Sequence, residues 1–260
     1  MLLYFPKLSA YPQILHFVST RQKGFSKPPY DSLNLGFGTE DDPNNVLKNR
    51  ELLAQTINVP LENWCVPQQT HSDNIAILTA KHKGKGTKDK KSAIGDTDAV
   101  ITNQKNVLLF VQSADCVCSL FYDTHKQVIA ACHAGWRGTV AHLPQKVVGQ
   151  MIKVFGSEAE HIKVALGACI SKEIYEVGQE VVEAVEKKFE NKKHLIWNET
   201  TKKYHFDLHS AHIEQLEKIG IKSENIERQD FCTYQNPALF FSARRDKNLT
   251  GRFGAGIMLV

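Results

Sequence analysis

The sequence predicts an α/β fold, one domain over residues 1–260 in which many short strands alternate with a few amphipathic helices. Three observations carry that expectation. Apolar runs rich in Val, Ile and Phe recur at strand length between turn-forming residues. Longer segments place apolar residues at helical spacing. No Pro-rich linker or tandem repeat divides the chain, and 42% hydrophobic with 23% charged residues is ordinary for a protein with a real core.

Ile14–Ser19 reads as a strand. Asp42-Pro43 then supplies an N-cap and an N1 proline for a helix to Ile57. Strands are expected at Trp64–Gln68, Asn74–Thr79, Asp98–Thr102, Val107–Gln112, Val117–Tyr122 and Gln127–His133. The short loops between the last three predict consecutive antiparallel pairing. A helix should run from Thr139 to Phe155, with Pro144 in its first turn or at a kink. His161–Leu166 is another strand, and Gly178–Phe189 a helix with the stripe Val181, Val182, Val185 and Phe189. Asp207 caps a helix that Gly220 closes, and Gly256–Val260 is the last strand.

No run approaches the ~20 apolar residues of a membrane helix. Pro6 cuts the apolar N-terminus short and no basic segment precedes it, unlike a secretory leader. The six cysteines are scattered without a Cys-x-x-Cys, the pattern of reduced thiols in a cytoplasm. Lys and Arg number 32 against 28 Asp and Glu, a net charge of +4. Residues 81–92 hold six lysines and one aspartate, so the rest of the chain carries 26 basic and 27 acidic residues. The basicity belongs to one loop without aromatic residues, which argues against a nucleic-acid partner. That loop is either a solvated, mobile segment or an anion-attracting one near a site.

Of the histidines, His209 and His212 stand at i,i+3 on one helix without a third ligand, and a bland role suffices. His71, Cys116 and His133 differ. His71 sits at a turn between strands; if the next two expected strands form a hairpin, Cys116 and His133 meet at one sheet edge. The start of the Thr139 helix, favourable to anions, lies at that edge. A thiolate and two imidazoles are a natural zinc set, with a core thiol and two turn histidines as the alternative. Asp115 can orient a histidine ligand, and Arg137, Arg244 and Arg245 can each hold phosphate or form an ion pair. Asp96 and Asp98 read as turn formers.

These residues coincide with a known pattern. Gln69-Thr-His71, Asp96-Thr-Asp-Ala99, Ala114-Asp-Cys116, His133-Ala-Gly-Trp-Arg-Gly-Thr139, Tyr175-Glu-Val-Gly178, Cys232-Thr233 and Phe241-Ser-Ala-Arg-Arg245 occur in order. The chain thereby resembles the YfiH-like family, also called laccase-domain or polyphenol oxidase-like proteins and purine nucleoside phosphorylases. The resemblance implies a layered sandwich of mixed β-sheets flanked by helices, akin to the cytotoxic-necrotising-factor fold. It implies zinc on His71, Cys116 and His133; the residue reading adds Asp115 and Arg137 to the catalytic set, and copper at this site would be a substitute. Gln69, Arg137, Arg244 and Arg245 are the expected substrate and phosphate contacts. Implied substrates are purine nucleosides and phosphate: phosphorolysis of adenosine, inosine and methylthioadenosine, with adenosine deamination. Cys118, Ala168 and Pro144 depart from the family's usual residues but touch no ligand. A multicopper oxidase needs His-x-His pairs, and this sequence has none. The competing expectation is a Cys116 nucleophile with His133 or His71 as base, hydrolysing an amide in a peptidoglycan precursor.

Overall fold

A computed structural model describes residues 1–260. In chain order the strands are β1 (Leu2–Leu3), β2 (Ile14–Ser19), β3 (Trp64–Cys65), β4 (Ile75–Ile77), β5 (Ala99–Thr102), β6 (Leu108–Ser113) and β7 (Val117–Asp123). They continue with β8 (Val128–Ala134), β9 (Ile162–Leu166), β10 (Glu176–Val177), β11 (Leu195–Asn198), β12 (Lys203–Phe206), β13 (Ile226–Arg228) and β14 (Phe253–Leu259). The helices are α1 (Pro6–Ser9), α2 (Pro43–Ile57), α3 (Trp136–Val140), α4 (Leu143–Phe155), α5 (Gln179–Lys188) and α6 (Leu208–Lys218).

Two mixed sheets lie face to face, ordered β1-β2-β14-β6-β3 and β13-β9-β7-β8-β5-β4, with a small sheet β10-β12-β11 beside them. Val111, Ala255 and Ile257 of the first sheet meet Leu120, Ile129 and Ala165 of the second in one buried cluster. Helix α2 covers the outer face of the first sheet, packing Leu53 and Ile57 on Phe17, Trp64 and Phe110. On the outer face of the second, Val147 and Met151 of α4 and Ala211 and Leu216 of α6 pack with Phe121 and Ala130. The layers therefore run helix, sheet, sheet, helices. Period-2 alternation produces them, because both faces of each central strand are buried.

Two sequence expectations are corrected. Strands β6 and β7 are consecutive but not partners: β6 pairs with β14 and β3, while β7 pairs with β8 and β9. The Ser113–Cys116 segment crosses from one sheet to the other, with Asp115 at φ 99°. The single helix expected at Thr139–Phe155 is two, broken at His142, which has φ 58°. Pro144 explains the break, since inside a continuous helix its ring would strike the carbonyl of Val140. The lysine-rich loop is anchored: buried Arg50 donates to the carbonyls of Gly86 and Thr87 at 2.5 and 3.0 Å. Gly86 has φ 69°, and a Cβ there would lie 2.2 Å from the Val66 carbonyl.

Candidate metal and substrate site

Sheet register builds the site. Cys118 on β7 stands opposite His133 on β8, and Ala99 on β5 opposite Cys132. Cys116 therefore shares the face of Cys118, while Asp98 lies beside His133, whose backbone N–H donates to the Asp98 carbonyl at 2.8 Å. All three side chains project on the face between the sheets. His71, between β3 and β4, reaches the same place with φ 61°.

The donor atoms of His71, Cys116 and His133 lie within 4.8 Å of one another. Cys116 Sγ is 3.9 Å from His71 Nε2, and the two imidazole rings meet edge to face at 5.1 Å. His133 is buried, Cys116 half-buried and His71 exposed, so the trio opens outward. Gly135 leaves it room: a Cβ there would lie 2.6 Å from Cys116 Sγ and 3.4 Å from His71 Cδ2. One thiolate and two imidazoles, converging on a space that a methyl group would fill, fit a metal ion.

Asp98 organises this arrangement. Its Oδ1 is 2.8 Å from His133 Nδ1, which leaves Nε2 as the ring nitrogen free to face the cluster. Its Oδ2 accepts from Thr70 N–H at 3.0 Å, Ser72 N–H at 2.7 Å and Ser72 Oγ at 2.9 Å, the residues on either side of His71. One buried carboxylate thus places both histidines. Burial opposes its charge, but the bonds from His133, Thr70 and Ser72 outweigh that and hold it below the usual carboxylate range. Burial likewise opposes the Cys116 thiolate, and the neighbouring His133 and His71 pull its pKa down. His133 is raised: desolvation disfavours its charge, but Cys116 and Asp98 on either side favour it.

The trio stands in a cleft of about 600 Å³ whose lining also includes Gln69, Asp115, Arg137, Tyr175, Arg244 and Arg252. Arg137 lies over the Trp136 ring at 4.3 Å with no carboxylate partner, and Arg244 over Tyr175 at 5.2 Å. Arg245 is not brought to the cleft. Its guanidinium donates to the carbonyls of Thr233, Tyr234 and Phe240 and pairs with Asp246. Asp115 orients no histidine; it accepts from Thr233 Oγ1 at 2.6 Å and Arg244 N–H at 2.7 Å, fixing the turn before Cys116. The Gln69 side chain is engaged with the main chain of Gln112 at both ends. Helix α3 is too short to serve as an anion-holding helix end, so that expectation reduces to Arg137. His209 bonds the Gly167 carbonyl and His212 the Thr139 hydroxyl, consistent with the bland reading. Sequence reasoning read Asp98 as a turn former, assigned no role to Arg252 and missed Lys247, whereas Lys90 belongs to the lysine-rich loop for which an anion-attracting role was one of the two expectations.

The family profile described as multi-copper polyphenol oxidoreductase laccase matches residues 15–260. The chain belongs to this laccase-domain family. Among laccase-domain relatives, the purine nucleoside phosphorylase YlmD of Bacillus subtilis is 36% identical over 92% of this chain and 86% of its own. The adenosine deaminase RL5, from an unknown prokaryotic organism, is 33% identical over 93% and 92%. The crystal structure of the Bacillus licheniformis hypothetical protein YfiH superposes with a TM-score of 0.95 at 29% identity, covering 100% of this chain and 96% of that one. The laccase-domain fold is thus the mixed-sheet sandwich expected from the motifs.

Proposed function

We propose that the protein is a zinc-dependent purine nucleoside enzyme, phosphorolysing adenosine, inosine and methylthioadenosine and deaminating adenosine. The observation that carries this reading is one cleft holding both the His71, Cys116 and His133 donor set and two guanidinium groups, Arg137 and Arg244. Relatives named for phosphorylase and deaminase activities support it.

Zinc held by the trio supplies a Lewis acid in the cleft. Asp98 keeps His133 in the tautomer that offers Nε2 and keeps the His71 loop in place. Arg137 and Arg244 bind and orient phosphate, whose oxygen attacks C1′ of the ribose while the bond to the purine nitrogen breaks. Trp136 and Tyr175 brace those two guanidinium groups from one side, limiting their motion. Chromatographic resolution of adenosine incubated with pure protein, with and without phosphate, tests the reading. Adenine formed with phosphate and inosine without it are expected. Neither product from protein with a full complement of zinc refutes it.

A second reading rests on a separate observation: Cys116, His133 and Asp98 stand in the order of a thiolate, base and orienting carboxylate. It makes the protein a cysteine hydrolase acting on amides such as those of peptidoglycan precursors. The two readings compete for Cys116, because a thiolate bound to zinc is a poor nucleophile. Amide hydrolysis that survives chelation favours the second.

A further inference from the structure

The charges around the cleft exceed what one phosphate requires. Its lining holds six Lys and Arg side chains and a single carboxylate, Asp115, which is already engaged by Thr233 and Arg244. The cations sort by partner. Arg50 is buried and gives three of its five N–H donors to the carbonyls of Leu35, Gly86 and Thr87, and half-buried Arg252 donates through Nη1 to those of Thr250 and Gly251. Arg137 and Arg244 stand on aromatic rings, Arg244 also donating to the Glu176 carbonyl at 2.9 Å, and are the pair already assigned to phosphate. Lys90 and Lys247 remain. Both line the cleft, both are exposed, and neither makes an ion pair, whereas Lys88 in the same loop pairs with Glu62 at 3.1 Å.

The loop backbone around Lys90 is also held in place. Arg50 pins the loop at Gly86 and Thr87, Val66 N–H donates to the Lys85 carbonyl, and Asp89 Oδ1 accepts from Ser92 N–H at 2.8 Å. A loop built to hold an unpaired lysine at a cleft, with no carboxylate supplied to neutralise it, calls for an anionic ligand group.

We infer that Lys90 and Lys247, the exposed lysines lining the cleft, supply a second anion subsite, which takes a phosphate monoester carried by the substrate itself. The substrate class is then nucleoside monophosphates as well as nucleosides. This rests on the purine nucleoside reading for the identity of the base, but the subsite is tested by binding alone. A cleft of about 600 Å³ is mid-range for a small-molecule site and has room for a nucleoside flanked by two phosphate groups.

The test is a calorimetric titration of the purified, zinc-loaded protein with adenosine, adenosine 5′-monophosphate and inorganic phosphate, each at low and high salt. The wild type should bind the monophosphate at least about tenfold tighter than adenosine at low salt, with the preference shrinking as salt rises. The Lys90→Ser, Lys247→Ser double variant should lose about tenfold in monophosphate affinity. Its adenosine affinity, inorganic phosphate affinity and zinc content should stay unchanged. The inference is overturned if the wild type binds the monophosphate no tighter than adenosine. It is also overturned if the double variant loses affinity for inorganic phosphate and keeps its preference for the monophosphate, since the lysines would then serve free phosphate. Absence of nucleoside turnover with the binding pattern intact would instead count against the proposed reaction, so the two failures are distinguishable.

Discussion

Replacing Asp98 by asparagine changes one buried atom and should dismantle the metal trio. Three donors, Thr70 N–H, Ser72 N–H and Ser72 Oγ, converge on one carboxylate oxygen, and His133 Nδ1 faces the other. In the Asp98→Asn variant the amide must turn its oxygen to the three donors, because turning its NH2 there would oppose donor to donor. The NH2 then faces His133 Nδ1, which has to accept. The ring proton moves to Nε2, the atom meant for the metal, and His133 ceases to be a ligand in its resting tautomer. Loss of such an orienting partner costs 10–100-fold in metal affinity, or about 1.4–2.7 kcal/mol. Competition against a chromogenic chelator measures the affinity, and nitrogen chemical shifts of His133 report the tautomer. A variant that binds zinc within about threefold of wild type, with the proton still on Nδ1, would refute the role assigned to Asp98.

Gly135→Ala should displace Cys116, since the new Cβ would lie 2.6 Å from its Sγ; zinc content well below one per chain in a cooperatively folding variant is the expected result. Two of the arginines should separate cleanly: Arg137→Ala raises the phosphate KM with little change in thermal midpoint. Arg245→Ala lowers the midpoint instead, because three carbonyls and Asp246 lose their partner. Zinc affinity should rise with pH through neutrality, because binding displaces the proton that Cys116 and Asp98 hold on His133; calorimetry in buffers of different ionisation heat counts that proton. Buried His16 accepts from Phe5 N–H and is pushed down to about 4 by desolvation. A depressed histidine contributes stability above its unfolded pKa of about 6.5 that is lost as pH falls toward 4, here about 3 kcal/mol. Urea midpoints of wild type and His16→Gln should therefore converge or cross between pH 7 and 4.5, and parallel curves would contradict the assignment.

The fold was legible wherever periodicity and caps agreed. Helix α2 runs Pro43–Ile57 as its Asp42-Pro43 start predicts, and β2 and β9 fall where their apolar runs do. The convergence of His71, Cys116 and His133 was legible because a tight hairpin, β7 and β8, fixes the register that brings Cys116 to His133. The role of Asp98 was not, because its partner lies across β5 and β8, 35 residues apart, and Asp-Thr-Asp has the composition of a turn. The crossing at Ser113–Cys116 was hidden for a similar reason: short loops suggest neighbouring strands, and only tertiary packing sends β6 to the other sheet. Arg244 and Arg245 are adjacent in sequence, and the turn they occupy sends one guanidinium to the cleft side of Tyr175 and buries the other among carbonyls. The strands β10 to β13 are short or exposed, too brief for an apolar pattern to register.

Metal content of purified wild type and Cys116→Ser, taken on the same samples used for adenosine turnover, tests the central claim most directly. The expected result is one zinc per chain and both adenine and inosine from wild type, with zinc and products lost together in the variant. Full activity in a wild-type protein stripped of zinc by chelation would contradict it.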